Sequence, residues 1–329
     1  MTSDAPSAEP LSLSILVCTH NRSMSAARLL AVLLPQMETL PVELILVDSA
    51  SEPHHQTALS ALVRSHAGAC LRLVRLEEKG ISNARNTGLD AARAEWVGYI
   101  DDDEVPSPGW LTNALELIRR LPPDCAACGG VVRPDFGPHG DPTVMGNLGK
   151  RWRTFLGEIL ADGEFDQTQQ PQFGVGHCLL RVEAIRQVGG FVSELGRDGK
   201  SLLSGEEVLL LEQLTARGWH IWHSSRISVL HDIEPERLKK QWAIKRSYWE
   251  GVSRARIRRL NGSRNALQAA SAAAKMLPLA VMAPFMPAGY ELDLRLAFNR
   301  GFVTETLGQL FSASRMTLLA MLHSASHSQ

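Results

Sequence analysis

At positions 96–106 the sequence runs Trp96-Val-Gly-Tyr-Ile-Asp-Asp-Asp-Glu-Val-Pro106, a short apolar stretch followed at once by three aspartates. The apolar part is typical of a buried strand, and carboxylates buried without partners cost several kcal/mol. We therefore expect Asp101, Asp102 and Asp103 at the carboxyl end of the strand, in the crevice where open α/β sheets bind ligands. Such oxygen ligands suit Mg²⁺ or Mn²⁺ entering with substrate phosphates. The alternative is a solvated acidic turn closed by Pro106.

Composition and charge limit the class of protein. The 329 residues are 44% hydrophobic and 21% charged, which is ordinary for a globular protein of one large domain or two. The formal net charge of −1 argues against a general nucleic-acid binder, so no nucleic-acid partner is expected. Five scattered cysteines fit a reducing cytosol better than a disulfide scaffold. Cys125 and Cys128 form a lone CxxC, interpreted as buried strand cysteines rather than as half of a zinc site.

Strand-like and helical patterns alternate along the first hundred residues. Strands are predicted at 11–18, 42–47, 71–76 and 96–100, with helices ending near Pro35 and spanning 58–65 and 81–94. This alternation indicates βαβ units and a mostly parallel sheet. Polar segments suited to a nucleotide follow two of the other strands, at 19–22 and 48–51. The sequence contains neither GxGxxG nor GxxxxGK[ST], so a dinucleotide fold and a P-loop are both unsupported.

Four segments match a known family in order and spacing. They are Ser14-Ile-Leu-Val-Cys-Thr-His-Asn-Arg22, Glu43-Leu-Ile-Leu-Val-Asp-Ser-Ala-Ser51, Gly80-Ile-Ser-Asn-Ala-Arg-Asn-Thr-Gly88 and Tyr99-Ile-Asp-Asp-Asp103. On these residues the chain resembles the family 2 glycosyltransferases. The resemblance implies an α/β protein of the GT-A fold, with a mostly parallel sheet flanked by helices and a C-terminal helical extension. It also implies a hexosyltransferase-like enzyme that moves a sugar with inversion from a nucleotide-diphosphate donor, preferably a UDP-sugar.

The family motifs assign donor and metal residues position by position. The resemblance implies that the donor nucleotide is bound by Thr19, Asn21, Arg22, Asp48, Asn83, Arg85, Asp101 and Asp102. It further implies a DxD pair, one acid reaching the ribose and one the metal, with Mn²⁺ or Mg²⁺ held by Asp101, Asp103 and His231. The alternative for a single histidine such as His231 is a structural role. The family often has a second acid after Asp48, where this chain has Ser49, and this departure weakens any assignment of the nucleotide base.

An acid pair, Glu206-Glu207, begins a predicted helix that runs to residue 214. The alternative is that both acids only complement the helix dipole. The family pattern places the catalytic base here, usually as Glu-Asp, since an inverting transfer needs one carboxylate beside the acceptor hydroxyl. By register Glu207 is the candidate base, and Glu206 would help orient donor or acceptor. The extra methylene of Glu207 displaces the carboxylate by about 1 Å, which can cost about 100-fold in rate.

Two further residues are candidates for contacting the acceptor or the sugar. His177 stands in a glycine-rich strand, at 173–181, where relatives commonly have asparagine. Its imidazole could donate to a sugar or phosphate oxygen, or simply pack. The other candidate, Trp249, lies among the aromatic residues of the C-terminal region. A loop on the acceptor side is predicted at 151–172, and two short strands are predicted at 218–231.

The composition changes after Ile233. Residues 236–260 form a predicted basic helix with interleaved aromatic residues, similar to a bacterial subgroup of the family. Its basic face is either solvated or a cationic surface for pyrophosphate or anionic lipid headgroups. Residues 266–287 are apolar but interrupted by Lys275 and three prolines, which predicts interfacial or packed helices rather than a transmembrane one. Two amphipathic helices are predicted at 292–322.

The predicted organisation is a flexible N-terminus at 1–10, a GT-A catalytic domain at 11–235 and a helical extension at 236–329. The polar, acidic N-terminus lacks a signal-peptide pattern, which predicts a cytoplasmic protein. Peripheral attachment to the inner face of the cytoplasmic membrane is a hypothesis. The expected function is metal-dependent, inverting transfer to a glycan or lipid-linked acceptor, in cell-surface polysaccharide or glycolipid synthesis. The alternatives are a non-catalytic nucleotide-sugar-binding scaffold and, with less support, a nucleotidyltransferase.

Overall fold

The computed structural model describes residues 11–66, 70–139, 148–172, 174–197, 201–262 and 290–326, together with residues 271 and 274. The chain divides into two units. The sheet unit contains Met1–Gly199 and Glu206–Pro235, and the helical unit contains Lys200–Gly205 and Glu236–Gln329. The short segment before Glu206 therefore belongs with the C-terminal residues rather than with its neighbours in sequence.

One sheet in the sheet unit contains nine strands of the described residues. They are β1 (Leu13–Thr19), β2 (Val42–Ser49), β3 (Leu71–Leu76), β4 (Trp96–Ile100), β5 (Glu104–Pro106), β6 (Cys125–Asp135), β7 (Glu164–Asp166), β8 (His177–Arg181) and β9 (His220–Asp232). Their order is β3-β2-β1-β4-β8-β6-β9-β5, with β7 paired to β9. The strands from β3 to β4 are parallel, whereas β8 runs antiparallel to both β4 and β6.

Helices connect the strands and cover the sheet. They are α1 (Ser23–Met37), α2 (Pro53–Ser65), α3 (Ile81–Ala91), α4 (Trp110–Arg120), α5 (Lys150–Phe155), α6 (Val182–Val188) and α7 (Glu206–Ala216). Parallel neighbours need crossover connections, and α1, α2 and α3 supply them between the first four strands. The predicted, mostly parallel βαβ arrangement is confirmed in this half of the sheet.

The core occupies both faces of the sheet. Leu13, Ile15 and Val17 of β1 pack in one cluster, and Leu16 packs in a second cluster on the opposite face. Every residue of β1 and β2 is buried, as expected for parallel strands covered by helices on both sides. Most polar side chains that must reach a ligand are therefore confined to the strand ends.

Several element boundaries differ from the predicted ones. Helix α1 continues past Pro35 to Met37, since a proline this close to the end removes only one bond of the last turn. The predicted loop at 151–172 contains α5 and β7. The two strands predicted at 218–231 are one strand, β9, which pairs with β6, β5 and β7 along its length. A register shift between Gly129 and Val131 accommodates the polar middle of β9.

The helical unit contains two long helices among its described residues. They are α8 (Lys240–Leu260) and α9 (Tyr290–Ser326), and α9 is a single helix where two were predicted. Glycines bring the two backbones into close contact. A Cβ atom at Gly251 would overlap the carbonyl oxygen of Phe298, and one at Gly301 would overlap that of Tyr248. Both positions therefore require glycine for the helices to pack as they do.

Helix α8 also holds the segment that directly precedes the acid pair. The backbone N–H of Ser204 donates to Ser253 Oγ at 3.1 Å, and Arg246 Nη2 donates to Ser204 Oγ at 2.8 Å. Gly205 has φ +93°, and a Cβ atom there would lie 2.8 Å from Ile257 Cδ1. Conformation and space thus both require glycine at this position.

Within the described residues, no helix combines the length and apolar character needed to cross a membrane. The interfacial or packed helices predicted at 266–287 fall outside the described residues, apart from 271 and 274. The predicted flexible N-terminus at 1–10 also falls outside them.

Candidate active site

Three parallel strands end at the same edge of the sheet and bring three polar segments together. Thr19 of β1 pairs with Asp48 of β2, and β4 runs beside β1 on its other side. The triple acid, Asp101 to Asp103, follows β4 directly. Thr19 Oγ1 donates a 2.7 Å hydrogen bond to Asp102 Oδ2. This bond joins the first strand end to the third, as expected from the strand-end pattern.

The backbone turns sharply after β1 and β2. Asn21 (φ +55°) and Ala50 (φ +56°) adopt the left-handed conformation that residues other than glycine rarely take. The N–H of Asn21 donates to Ser51 Oγ at 2.9 Å, and Asn21 Oδ1 accepts from the N–H of Glu52 at 2.7 Å. Strained turns of this kind cluster at functional sites. The Asn21 side chain thus ties the two strand ends together at the start of α2.

Asp48 is buried at the end of β2. Its Oδ1 accepts a 3.1 Å hydrogen bond from the N–H of Ser51. Its Oδ2 lies 3.6 Å from Arg75 Nε and has no hydrogen-bond partner among the described residues. A buried carboxylate oxygen without a hydrogen-bond partner can accept a hydrogen bond from a donor group of a ligand.

Asp102 is the buried member of the triple acid. Arg22 Nη1 lies 3.3 Å from its Oδ1, which adds a charge to the hydrogen bond from Thr19. Burial raises the pKa of Asp102 to about 6 against the lowering effects of Thr19 and Arg22. Asp101, by contrast, is 41% exposed. Asp102 therefore anchors the loop, and Asp101 is the more accessible carboxylate.

Asp103 lies between Arg22 and His231. Arg22 Nη1 donates to Asp103 Oδ2 at 2.8 Å, and Arg22 Nη2 pairs with Glu234. On the other side, His231 Nε2 lies 3.8 Å from Asp103 Oδ1. His231 Nδ1 donates to the carbonyl oxygen of Leu156 at 2.9 Å. In neutral His231 the lone pair is therefore on Nε2, the nitrogen that faces Asp103.

The donor chemistry of Asp103 and His231 fits a divalent cation. A carboxylate oxygen and an imidazole lone pair facing each other suit Mn²⁺, and the backbone bond at Nδ1 is the usual support of a ligating histidine. No group of three His, Cys, Asp or Glu side chains in the described part of the chain could hold a metal ion by itself. A cation held here would therefore draw its further ligands from elsewhere, as ions that enter with phosphates do.

Arg85 joins the acid pair to the triple acid. Arg85 Nη1 donates a 2.6 Å hydrogen bond to Glu206 Oε1, and Nη2 lies 3.6 Å from Asp101 Oδ1. Burial alone would lower the pKa of Arg85, but the nearby charges of Asp101, Glu206 and Glu207 raise it. Glu206 is buried, while Glu207 is partly exposed. Of the two acids, Glu207 is thus the one more open to an acceptor.

Three predicted residues remain: Asn83, His177 and Trp249. Asn83 is two residues from Arg85 on α3 and lines a separate open groove with Glu77 and Thr87. His177 is 1% exposed and accepts a 2.8 Å hydrogen bond from Trp110 Nε1, while burial lowers its pKa to about 3. This environment favours the packing alternative for His177 over contact with a sugar. Trp249 lies on α8 in the helical unit.

Two residues that support the site were not predicted from the sequence. Glu104 is buried beside the triple acid, and its Oε2 accepts from the N–H of Asp101 at 3.3 Å. Gly176 leaves room for the same aspartate, since a Cβ atom there would lie 2.6 Å from Asp101 Oδ2. The fourth acid of the acidic run was a signal for Glu104. The Gly-Val-Gly sequence before β8 was a signal for Gly176. Neither the acidic run nor this glycine pattern indicates that the residue contacted is Asp101.

Cysteine chemistry is unsuited to this edge of the sheet. Cys18, near the end of β1, is buried, and burial raises the pKa of its thiol to about 12. Cys125 and Cys128 are buried in β6, as predicted, and burial raises the pKa of both thiols. Protonated thiols of this kind are poor nucleophiles. Cys18, Cys125 and Cys128 are therefore unsuited to act as nucleophiles here.

Comparison with known proteins agrees with the geometry. The model of the family described as "Glycosyl transferase family 2" matches residues 14–189, which is more than half of the chain. The succinoglycan biosynthesis protein ExoM of Rhizobium meliloti is 28% identical over 91% of this chain and 94% of its own length. The glucosyl-dolichyl phosphate glucuronosyltransferase of Haloferax volcanii is 26% identical over 74% of this chain and 76% of its own length.

Solved structures show the same fold at low sequence identity. The mannosyltransferase PcManGT of Pyrobaculum calidifontis, in complex with GDP-Man and Mn²⁺, is 17% identical. It matches with a TM-score of 0.51 over 98% of this chain and 83% of its own. GalNAc-T7, with UDP, GalNAc and Mn²⁺, is 13% identical and matches with a TM-score of 0.53 over 76% of this chain and 51% of its own. The GT-A fold predicted from the four motif segments is confirmed, and the chain belongs to glycosyl transferase family 2.

Proposed function

We propose that this glycosyltransferase moves a sugar from a nucleotide-diphosphate donor to an acceptor hydroxyl with inversion, and that it depends on a divalent cation. The observation that carries the metal dependence is the pair formed by Asp103 Oδ1 and His231 Nε2, 3.8 Å apart. Both side chains are mostly buried, and His231 is oriented by its bond to Leu156. Mn²⁺ or Mg²⁺ bound by Asp103 and His231, with the donor diphosphate and Asp101 as candidates for its further ligands, would stabilise the charge of the leaving group.

The donor nucleotide is proposed to lie along the ends of β1, β2 and β4. Asp48 Oδ2 supplies a buried acceptor for an N–H of the base or a hydroxyl of the ribose. Asp101, the most exposed of the three adjacent acids, would accept from the ribose or bind the cation. Thr19 and Asn21 hold the strand ends in position, and Arg22 balances the charge of Asp102 and Asp103 until the donor arrives.

Glu207 is proposed as the base that takes the proton of the acceptor hydroxyl. It follows Glu206, which is buried and already held in an ion pair by Arg85. Glu207 lies in the first turn of α7 and is partly exposed. A carboxylate that is ionised and accessible fits the role of a general base better than one buried in an ion pair.

The acceptor is proposed to be a glycan or a lipid-linked sugar. The support is indirect: one relative acts in succinoglycan biosynthesis, and another acts on a glucosyl-dolichyl phosphate. The two structural neighbours were solved with GDP-Man and with UDP and GalNAc, so the base remains part of the test rather than of the proposal. A UDP-sugar is the first donor to try, as the motif resemblance implies.

The decisive experiment is a panel of UDP-, GDP- and dTDP-sugars, each with and without Mn²⁺. Thermal shift measures binding, because a ligand that binds only the folded state raises its stability. Release of the nucleoside diphosphate measures hydrolysis or transfer, the latter with a set of glycan and lipid-linked acceptors. We expect one donor to bind and to turn over only with the cation. Donor binding without turnover for every acceptor tested would favour the scaffold alternative. Turnover that stays the same after a chelator removes the cation would contradict the metal site.

Peripheral attachment to a membrane is a separate proposal for the helical unit. Its support is the basic composition of α8, although Lys240 pairs with Asp293 and Arg256 with Glu305 inside the unit, which lowers the exposed charge. Cosedimentation with vesicles containing anionic lipid is expected to exceed that with neutral vesicles and to fall with added salt. Equal recovery in the supernatant with both vesicle types would contradict it.

A further inference from the structure

Arg85 stands between two groups of carboxylates that come from distant parts of the sequence. Its Nη1 bonds Glu206 Oε1 at 2.6 Å, and its Nη2 lies 3.6 Å from Asp101 Oδ1. Arg85 and Glu206 are each 6% exposed. Asp101 follows β4, whereas Glu206 begins α7. One guanidinium thus connects the donor side of the site to the element that carries the proposed base.

Glu206 depends on this contact. A buried carboxylate remains ionised only if a partner offsets the loss of hydration. Glu206 Oε2 has no hydrogen-bond partner among the described residues, whereas Oε1 accepts its hydrogen bond from Arg85. The fixed fork of a guanidinium reaches two carboxylates, whereas the single ammonium of lysine would serve one at a time.

The surroundings of Arg85 hold it in place without a ligand. Tyr99 Oη donates to the carbonyl oxygen of Arg85 at 3.0 Å, and the guanidinium carbon lies 5.7 Å from the centre of the Phe191 ring. The next residue on α3, Asn86, fixes Phe191 through two 2.8 Å hydrogen bonds to its backbone. Main chain and side chain are therefore both supported, as expected of a preorganised group.

We propose that Arg85 is a positioning residue that couples the acid pair to the donor carboxylates, rather than a contact to the nucleotide. Through Glu206 it fixes the first turn of α7, from which Glu207 projects, and through Asp101 it fixes the acid nearest the donor. The inference rests on the proposed roles of Glu207 and Asp101. Loss of the coupling misplaces the base and lowers turnover at saturating donor, whereas donor affinity changes little because the N–H of Asp101 stays bonded to Gly176 and Glu104.

The first test is Arg85→Lys, which keeps the positive charge but cannot hold both carboxylates. With the donor that wild type hydrolyses in the panel, kcat is expected to fall about 10- to 100-fold. The Kd of the matching nucleoside diphosphate with Mn²⁺ is expected to change by less than about threefold. Arg85→Gln is tested by the pH dependence of kcat. The variant removes a positive charge near Glu207, which makes the proposed base easier to protonate, so the fall of kcat at acid pH should begin at a higher pH than in wild type.

Two further variants separate coupling from folding. Arg93→Lys is the matched control, since Arg93 also pairs with a buried glutamate, Glu43, but near the start of β2. It is expected to leave kcat unchanged. Glu206→Gln removes the charge of the same link from the other side while Arg85 stays available to a nucleotide, and it decides the question if the Arg85 variants do not fold. The double variant Arg85→Lys/Glu206→Gln should be no slower than the slower single variant.

Three results would overturn the proposal. One is a rise in nucleotide Kd of about tenfold or more in Arg85→Lys with kcat unchanged, which would assign Arg85 to the nucleotide. Another is a decrease in kcat of the double variant Arg85→Lys/Glu206→Gln that equals the product of the decreases in the two single variants. The third is wild-type kcat in both single variants. If wild type itself turns over no donor, the proposed function fails first, and that outcome is distinct from all three.

Discussion

Asp103 is the residue on which the metal proposal can be tested most directly. Asp103→Asn keeps the size of the side chain but removes the charge that faces His231 and Arg22. We expect Mn²⁺-dependent donor hydrolysis to fall about 100-fold or more. The rate of nucleoside-diphosphate release measures this loss of hydrolysis. Asp232→Asn is the control, because Asp232 is an exposed acid next to His231 that pairs only weakly with Arg28 in the structure. Equal activity in both variants would remove Asp103 from the metal site.

Glu207 is tested by separating turnover from binding. Glu207→Gln removes the proposed base without changing its size, so kcat should drop about 100-fold or more while nucleotide binding stays within about threefold. Glu207→Asp, which restores the residue usual in the family, should keep measurable transfer. Glu212→Gln, further along α7, is the control. A Glu207→Gln variant that transfers as fast as wild type would move the base elsewhere.

Residue positions near the strand ends were more predictable than contacts between residues far apart in the sequence. The order of polar segments after β1, β2 and β4 was sufficient to predict that Thr19 and the triple acid meet. The link from Arg85 to Glu206 could not be predicted, because it depends on how α3 and α7 pack. His177 was ambiguous for the same reason: a histidine at a strand start packs or reaches out according to neighbours such as Trp110.

The glycine contact between α8 and α9 is a prediction at the scale of elements. Gly251→Ala or Gly301→Ala would force a methyl group against a carbonyl oxygen of the other helix. We expect each to lower the free energy of unfolding of this helix pair by about 1–3 kcal/mol. Gly308→Ala is the matched control on α9, since a Cβ atom there meets nothing within 4 Å, and it should be neutral or stabilising. Circular dichroism during thermal unfolding provides the measurement. Equal thermal unfolding midpoints for the Gly251, Gly301 and Gly308 variants would contradict the close contact between the two helices.

Element boundaries in the second half of the sheet were less predictable. The polar residues in the middle of β9 resemble a turn, which is why two strands were predicted. The strand continues because β6 accommodates the irregularity at Gly130, where a Cβ atom would lie 2.5 Å from the carbonyl oxygen of Ile227. Periodicity along β9 does not contain this information, since the irregularity depends on how β9 pairs with β6.

The stability of the whole sheet unit should depend on pH through Glu43. Burial would raise the pKa of Glu43, but hydrogen bonds from Arg93, Ser14 and Arg72 outweigh it and lower the pKa. A depressed carboxyl pKa stabilises the folded state above the unfolded-state pKa, and this stabilisation is lost as the pH falls through the folded-state value. Wild type should therefore lose stability progressively below about pH 4.5.

Glu43→Gln gives the matching measurement. It should lower the free energy of unfolding by about 2 kcal/mol near neutral pH, because charged hydrogen bonds to two arginines are weakened. The difference from wild type should shrink as the pH falls, which urea unfolding at several pH values would show. Glu116→Gln is the control, since Glu116 is an exposed acid on α4 that pairs with Arg226. A difference that stays constant down to low pH would contradict the role of the Glu43 charge.

At the scale of the molecule, the parallel half of the sheet was predictable and the rest was not. Alternating strands and helices lead to parallel neighbours, and the four strands β3, β2, β1 and β4 are parallel as that rule predicts, although their order is not contained in the alternation. The insertion of β8 beside β4, and the pairing of β6 with β9, join strands far apart in sequence. Local pattern carries no signal for such pairings, whereas the family resemblance did supply the fold that contains them.

Residues 201–205 are grouped with the helical unit although the acid pair follows them by one peptide bond. The two modules are thus interleaved along the chain rather than joined end to end. Hybrid proteins that exchange the C-terminal helices between relatives should carry Ser204 and Gly205 together with α8 from one parent, because Arg246, Ser253 and Ile257 are fitted to them. A protein shortened after Pro235 would leave Ser204 and Gly205 without these contacts. We therefore expect that the sheet unit does not fold normally without the helices that follow it.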